Sequence, residues 1–114
     1  MQIDCEGADL GSYRSRIHII ADILNVADKG AKKTQIMYQA NLSYKLLTKY
    51  LTEVIESYLI RFEYKRQCYV LTTKGQEFLQ IYKEYMRRNK HVERQLDDVR
   101  VKRKTLERLC SNRI

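Results

Sequence analysis

Ser43, Tyr44, Lys45, Thr48, Lys49 and Thr52 recur at the one-, three- and four-residue intervals that place side chains on one side of a helix. That strip offers hydroxyl and ammonium groups and no acid. A short polar face of this kind can enter a major groove about 12 Å wide and reach phosphates or base edges. It holds no arginine, whose fork makes the commonest guanine contact, so weak sequence preference is expected. A second group, Lys32, Lys33, Thr34 and Gln35, opens a short helix whose free amides and positive dipole end favour a phosphate. Lysines at that end oppose the helix dipole, a local conflict that favours a binding role over an ordinary exposed turn. A third, Lys65 with Arg66, sits at a turn between two strand-like runs and can rest on a nucleic-acid backbone or enter a minor groove.

The elements that must hold these groups follow from hydrophobic spacing. A first helix starts at Ser12 or Ser15 and runs to about Asp28, with Ile17, Ile20, Ala21, Leu24 and Ala27 on one face and Gly30 as its stop. A second covers Lys33 to Ala40 and buries Ile36, Met37 and Ala40. Asn41 tolerates a left-handed turn, Leu42 plugs the core, and Ser43 caps a third helix that reaches about Ser57 with Leu47, Tyr50, Leu51 and Val54 inward. Two short helices about a tight turn, the second polar outside, form the helix-turn-helix pattern. Tyr58 to Tyr64 and Gln67 to Leu71 then read as a hairpin with a basic tip, and Thr73 with Gln76 as a capping box for a last helix ending near Cys110. The expected fold is mainly α with a small β-hairpin wing: a winged helix-turn-helix over residues 13–72, preceded by a disordered acidic tail over 1–12 and followed by a long coiled-coil helix over 73–114.

The last helix carries a seam. Phe78, Tyr82, Tyr85, Asn89, Val92, Leu96, Val99, Arg103, Leu106 and Cys110 follow one another at alternating spacings of four and three, a heptad stripe that predicts a second chain. Paired antiparallel about residue 94, Phe78 meets Cys110, Tyr82 meets Leu106, Tyr85 meets Arg103, Asn89 meets Val99 and Val92 meets Leu96. A parallel pair would set Arg103 on Arg103, so the antiparallel arrangement is favoured. The seam from Phe78 to Cys110 would be roughly 48 Å long at ~1.5 Å per residue, which suggests bridging of two duplexes or bending of one.

The sequence of 114 residues has a formal net charge of +8, suited to polyanions. From Lys74 to Ile114 twelve Lys and Arg stand against six Asp and Glu, which leaves open whether Arg100, Lys102, Lys104 or Arg108 face phosphates or only form a solvated coiled-coil exterior. No run of ~18 apolar residues suggests a membrane span, and the first residues lack the apolar stretch of a signal peptide, so a cytoplasmic location is expected. Cys5, Cys68, Cys110, His18 and His91 are scattered in no ligand spacing, and no phosphate loop, HExxH or carboxylate cluster is present. Neither metal, nor cofactor, nor catalysis is expected. Of the nine tyrosines, Tyr38, Tyr50, Tyr58, Tyr82 and Tyr85 fall at core or seam positions, and Tyr44 and Tyr64 are the exposed exceptions. These two keep single-stranded nucleic-acid binding open, and a protein-interaction module is a further alternative to binding duplex DNA.

Ala31 to Ile60, AKKTQIMYQANLSYKLLTKYLTEVIESYLI, followed by LTTKGQEFL at Leu71 to Leu79, resembles the archaeal winged-helix DNA-binding family of the small basic Sulfolobus chromatin proteins, the ten-kilodalton "a" class. The similarity covers about Ile17 to Tyr85, and KTQIMYQANLS is its specific part. The resemblance implies a winged helix, a homodimer through a long antiparallel coiled coil, and double-stranded DNA binding with little sequence preference, in a nucleoid-associated or regulatory protein. By motif match it places Lys33, Thr34, Ser43, Tyr44 and Lys45 at the DNA-facing side. Ser57 and Tyr58 stand where the family usually has Asn-Gly, so the turn into the hairpin is expected to differ.

Overall fold

The computed structural model describes residues 14–111; the expected acidic tail and the Ser12 alternative for the first cap lie outside them. The element order is α1 (Arg16–Ala27), α2 (Lys33–Gln39), α3 (Tyr44–Glu56), β1 (Ile60–Glu63), β2 (Cys68–Leu71) and α4 (Thr73–Leu109). The described residues up to Leu79 form one compact unit and those from Gln80 a second.

The first unit is built around α1. Ser15 caps it, its hydroxyl accepting the His18 amide at 3.2 Å, and Ile19, Ile20, Ala21, Ile23, Leu24 and Ala27 are buried. Ile17, expected inside, is exposed, and Ile19 and Ile23 take the interior instead. The turn after α1 closes on Gly30 with φ 89, a conformation only glycine adopts cheaply, and Ala31 then pairs with Tyr69 of β2 through two backbone hydrogen bonds of 2.9 and 2.8 Å.

Two turns share one solution. After α2, Asn41 takes φ 55 while its amide bonds Tyr38 O and the Leu42 amide bonds Met37 O; after α3, Tyr58 takes φ 62 while its amide bonds Ile55 O and the Leu59 amide bonds Val54 O. Each is a Schellman closure, which satisfies the last carbonyls of a helix and turns the chain sharply. Leu42 and Leu59 drop into the core behind them. The second turn therefore has the geometry that a glycine would give, achieved by a tyrosine. Tyr58 is not a core residue as expected but 74% exposed, because a left-handed C′ position points its side chain away from the helix. Tyr38 is likewise 78% exposed, and Met37 only half-buried, since Ile36 and Ala40 alone fill the inward side of so short a helix.

β1 and β2 pair antiparallel with Ile60 opposite Leu71 and Glu63 opposite Cys68. Both strands are shorter than expected because Tyr58 and Gln67, at φ 62 and 52, leave the extended region. Thr72, not Thr73, caps α4. Its hydroxyl accepts the Gly75 amide at 3.0 Å and donates towards the carbonyls of Tyr58 at 2.6 Å and Leu59 at 3.0 Å, tying together the end of α3, the hairpin and α4. Gly75 is buried there, and a Cβ on it would meet the Leu59 carbonyl oxygen at 2.2 Å.

Arg14 makes a comparable tie across the helix-turn-helix. Its guanidinium donates to Asp22 Oδ2 at 2.8 Å and to the carbonyls of Ala40 and Asn41, each at 2.7 Å. The turn that aims α3 is thus bonded to α1 from its open end.

In the second unit, α4 from Gln80 onward is solvated. Val99 and Leu106 are 60% and 63% exposed, and Tyr85, Val92, Leu96 and Cys110 are exposed with them. Ion pairs join Arg100 to Asp97 at 3.3 Å, Lys102 to Asp98 at 2.9 Å and Arg103 to Glu107 at 3.5 Å.

Gly75→Ala should lower stability by about 1–3 kcal/mol, since the Leu59 backbone cannot yield as a side chain would. Tyr58→Gly should raise it by about 0.5–1 kcal/mol through relief of the left-handed penalty. Urea unfolding midpoints of the two variants measure both signs. Arg14→Ala should cost about 2 kcal/mol, with Arg14→Lys restoring little because a single ammonium cannot bond three acceptors in the same fork geometry. The same urea midpoints check this.

Candidate nucleic-acid interface

α3 presents its outer face because its inner one is fully used. Leu47, Tyr50, Leu51 and Val54 are buried, and the helical period then turns Tyr44, Lys45, Thr48, Lys49 and Thr52 to solvent, where all five are exposed. Ser43 serves first as the cap of this helix, its hydroxyl accepting the Leu46 amide at 3.2 Å, and as an acceptor there it retains a proton for donation.

The hydroxyls of the strip are less available than their residue types suggest. Thr48 Oγ1 donates to Tyr44 O and Thr52 Oγ1 to Thr48 O, both at 2.9 Å, so each must rotate away from the backbone before it donates to a phosphate. Lys45 and Lys49 are the strip's cations, and Lys49 Nζ lies 5.2 Å from the Tyr50 ring centroid. Of the two acids on α3, Glu53 is taken by an ion pair with Arg16, and Glu56 is exposed in the last turn. The positive field of the outer face is therefore strongest over its first turns, away from Glu56.

The start of α2 meets the start of α3. Lys33 Nζ sits 5.0 Å above the Tyr44 ring, a cation–π contact that joins two of the three groups picked out by their residue types. Lys32 is the N-cap of α2 without a side-chain cap bond, and Thr34 and Gln35 are exposed on its first turn.

The hairpin tip divides its two cations. Lys65 is exposed in the turn between β1 and β2. Arg66 does not extend with it: its guanidinium folds back to Lys29 O at 3.0 Å and to Glu63 Oε1 at 3.5 Å, stitching the wing to the turn after α1. Gly30 lies directly beneath, where even a methyl group would come within 2.6 Å of that guanidinium. Tyr64 is 77% exposed and packs edge-on to Phe62, which in turn packs edge-on to Tyr69, at centroid distances of 5.0 and 5.1 Å. Arg14 was missed among the candidate residues because nothing in its local spacing announces partners at positions 22, 40 and 41.

Among the described residues no group of three or more His, Cys, Asp or Glu could hold a metal, Cys68 is buried, and no helix is long and apolar enough to cross a membrane.

No curated protein sequence matches the chain. Among solved structures, that of Sso10a-2, a DNA-binding protein from Sulfolobus solfataricus, is similar with a TM-score of 0.59 at 20% identity, covering 88% of this chain and 100% of that one. At that identity the likeness is one of fold. A model of the winged helix-turn-helix family matches residues 13–90, most of the chain. With three helices, a two-stranded wing, and a match over this span, the chain belongs to the winged helix-turn-helix family.

Proposed function

We propose that this protein binds double-stranded DNA, chiefly through phosphates and with weak sequence preference, as a homodimer acting in nucleoid architecture or transcription regulation. The observation that carries the reading is the outer face of α3, where Lys45, Thr48, Lys49 and Thr52 are exposed ahead of Glu56 in its last turn, joined at its start by Lys33 over Tyr44. The similarity in fold to a DNA-binding protein of Sulfolobus solfataricus supports it. Release of counterions by Lys33, Lys45, Lys49 and Lys65 supplies most of the affinity, while Thr48 and Thr52, engaged with their own backbone, add little discrimination between bases. The exposed stripe of Tyr85, Val92, Leu96, Val99 and Leu106 supports pairing of two α4 helices, and the antiparallel arrangement brings Arg103 to a tyrosine rather than to another arginine.

Fluorescence anisotropy of two unrelated duplexes across a salt series tests the binding. Equal affinities that fall steeply with salt are expected, and Lys45→Ala with Lys49→Ala should reduce the slope of log K against log salt by about 1.8, the share of two neutralised phosphates. Absence of binding to either duplex at low salt would refute the reading. Sedimentation equilibrium should show a dimer that Leu96→Glu converts to monomer, and a monomeric wild type would remove the coiled-coil proposal.

A further inference from the structure

With the seam residues at heptad positions a and d, positions b and f lie on the opposite side of α4. Between Lys83 and Arg108 six of these eight positions are cations: Lys83, Arg87, Lys90, Arg94, Lys104 and Arg108. The remaining two are Asp97 and Val101. All six cations are exposed, and among the described residues none takes part in an ion pair or side-chain hydrogen bond. Of the acids near them, Asp97 is held by Arg100, Asp98 by Lys102 and Glu107 by Arg103, while Glu84 and Glu93 stand at the flanking c and e positions. Arg100 and Lys102, which the sequence offered as phosphate contacts, are thus neutralised, and the unneutralised b and f cations form a ridge in two runs, Lys83 to Arg94 and Lys104 with Arg108, separated by Asp97 and Val101.

This arrangement opposes the stability of the helix. Lys83, Arg87, Lys90 and Arg94 place like charges at successive i,i+4 and i,i+3 spacings, each a repulsion that destabilises an isolated helix. A solvated exterior ordinarily mixes both signs. From Lys83 to Arg94 the b and f positions carry one sign only, a local conflict of the kind that marks a binding surface.

We propose that this ridge is a second binding surface for the phosphate backbone of duplex DNA, separate from the face of α3; it rests on the DNA-binding reading for the identity of its partner. Lys83 to Arg108 spans 25 helical steps, roughly 37 Å at ~1.5 Å each, comparable to the ~34–36 Å of one duplex turn. Because b and f face away from a and d, the ridge stays accessible in any dimer formed through the seam, parallel or antiparallel. A bilayer surface fits less well, since an interfacial helix would have to bury Asn89 and Arg103 with the apolar stripe.

The test uses the full-length protein with Lys83→Gln, Arg87→Gln, Lys90→Gln and Arg94→Gln together, glutamine being a comparably good helix former. Unchanged far-ultraviolet circular dichroism and sedimentation establish that the variant is folded and assembled as the wild type; Arg87→Gln with Arg94→Gln serves if it is not. With a duplex several turns long, the salt slope should fall by about 3–4 when four cations are removed, or by about 2 in the double variant, while binding through the α3 face persists. Arg100→Gln with Lys102→Gln should change the slope far less for each charge removed. A wild-type slope in the ridge variant, alongside a reduced slope in the Lys45→Ala, Lys49→Ala variant, would overturn the ridge and leave the α3 reading standing. Absence of duplex binding by the wild type would overturn both. Ridge-dependent binding to phosphatidylserine vesicles with unaltered duplex binding would overturn it in favour of a lipid surface.

Discussion

The first unit depends on covering α1. With Ile19, Ile20, Ala21, Ile23, Leu24 and Ala27 all buried, this helix is apolar over more than one face, and a helix of that kind is stable only when neighbours surround it. α2, α3 and β2 do so, and Ile36, Leu47, Val54 and Ile60 are fully buried in the process. The direction in which α3 presents Lys45 and Lys49 is a consequence of this packing. Each inward residue of α3 that meets the core commits the opposite side of the helix to solvent.

Short ties then set angles that packing alone leaves loose. Thr72 bonds three backbone groups at the junction of α3, the hairpin and α4, and Gly75 permits the approach to Leu59 that brings those groups within reach. Arg14 does the same for the turn between α2 and α3. These bonds supply partners to carbonyls just beyond helix ends, Leu59 O accepting the Thr72 amide as well as its hydroxyl. They also hold the outer face of α3 in a defined direction.

Charge is sorted along the chain in a consistent way. Glu53, Glu63, Asp97, Asp98 and Glu107 each have a basic neighbour within ion-pairing range, and unpaired cations remain on the α3 face and at b and f positions of α4. Exposed ion pairs contribute little to stability individually. Their effect here is on the field: every acid so paired leaves a nearby uncompensated lysine or arginine more attractive to a polyanion.

The sequence by itself determined the elements. Periods of 3.6 and 2 are local properties, so Leu47, Tyr50, Leu51 and Val54 identified the inner face of α3, Ser15 and Ser43 the caps of α1 and α3, and Asn41 and Gly30 the turns. Within the spacing of Phe78 to Cys110, the residues from Tyr85 onward are ones that α4 leaves exposed, with Phe78 and Tyr82 half-buried. What only tertiary structure decided were the fates of side chains whose partners lie far along the chain. Arg66 reads as a free wing-tip cation until Lys29, 37 residues earlier, is brought beneath it. Arg14 has no apparent partner until Asn41, 27 residues later, arrives at the open end of α1. Tyr58 reads as core by its type, and is turned outward because the Schellman closure demands a left-handed residue at that point whatever its side chain. Local pattern specifies conformation, since neighbouring residues share one backbone period. Which donor meets which acceptor depends on how the helices close around α1, and that is a property of the whole core.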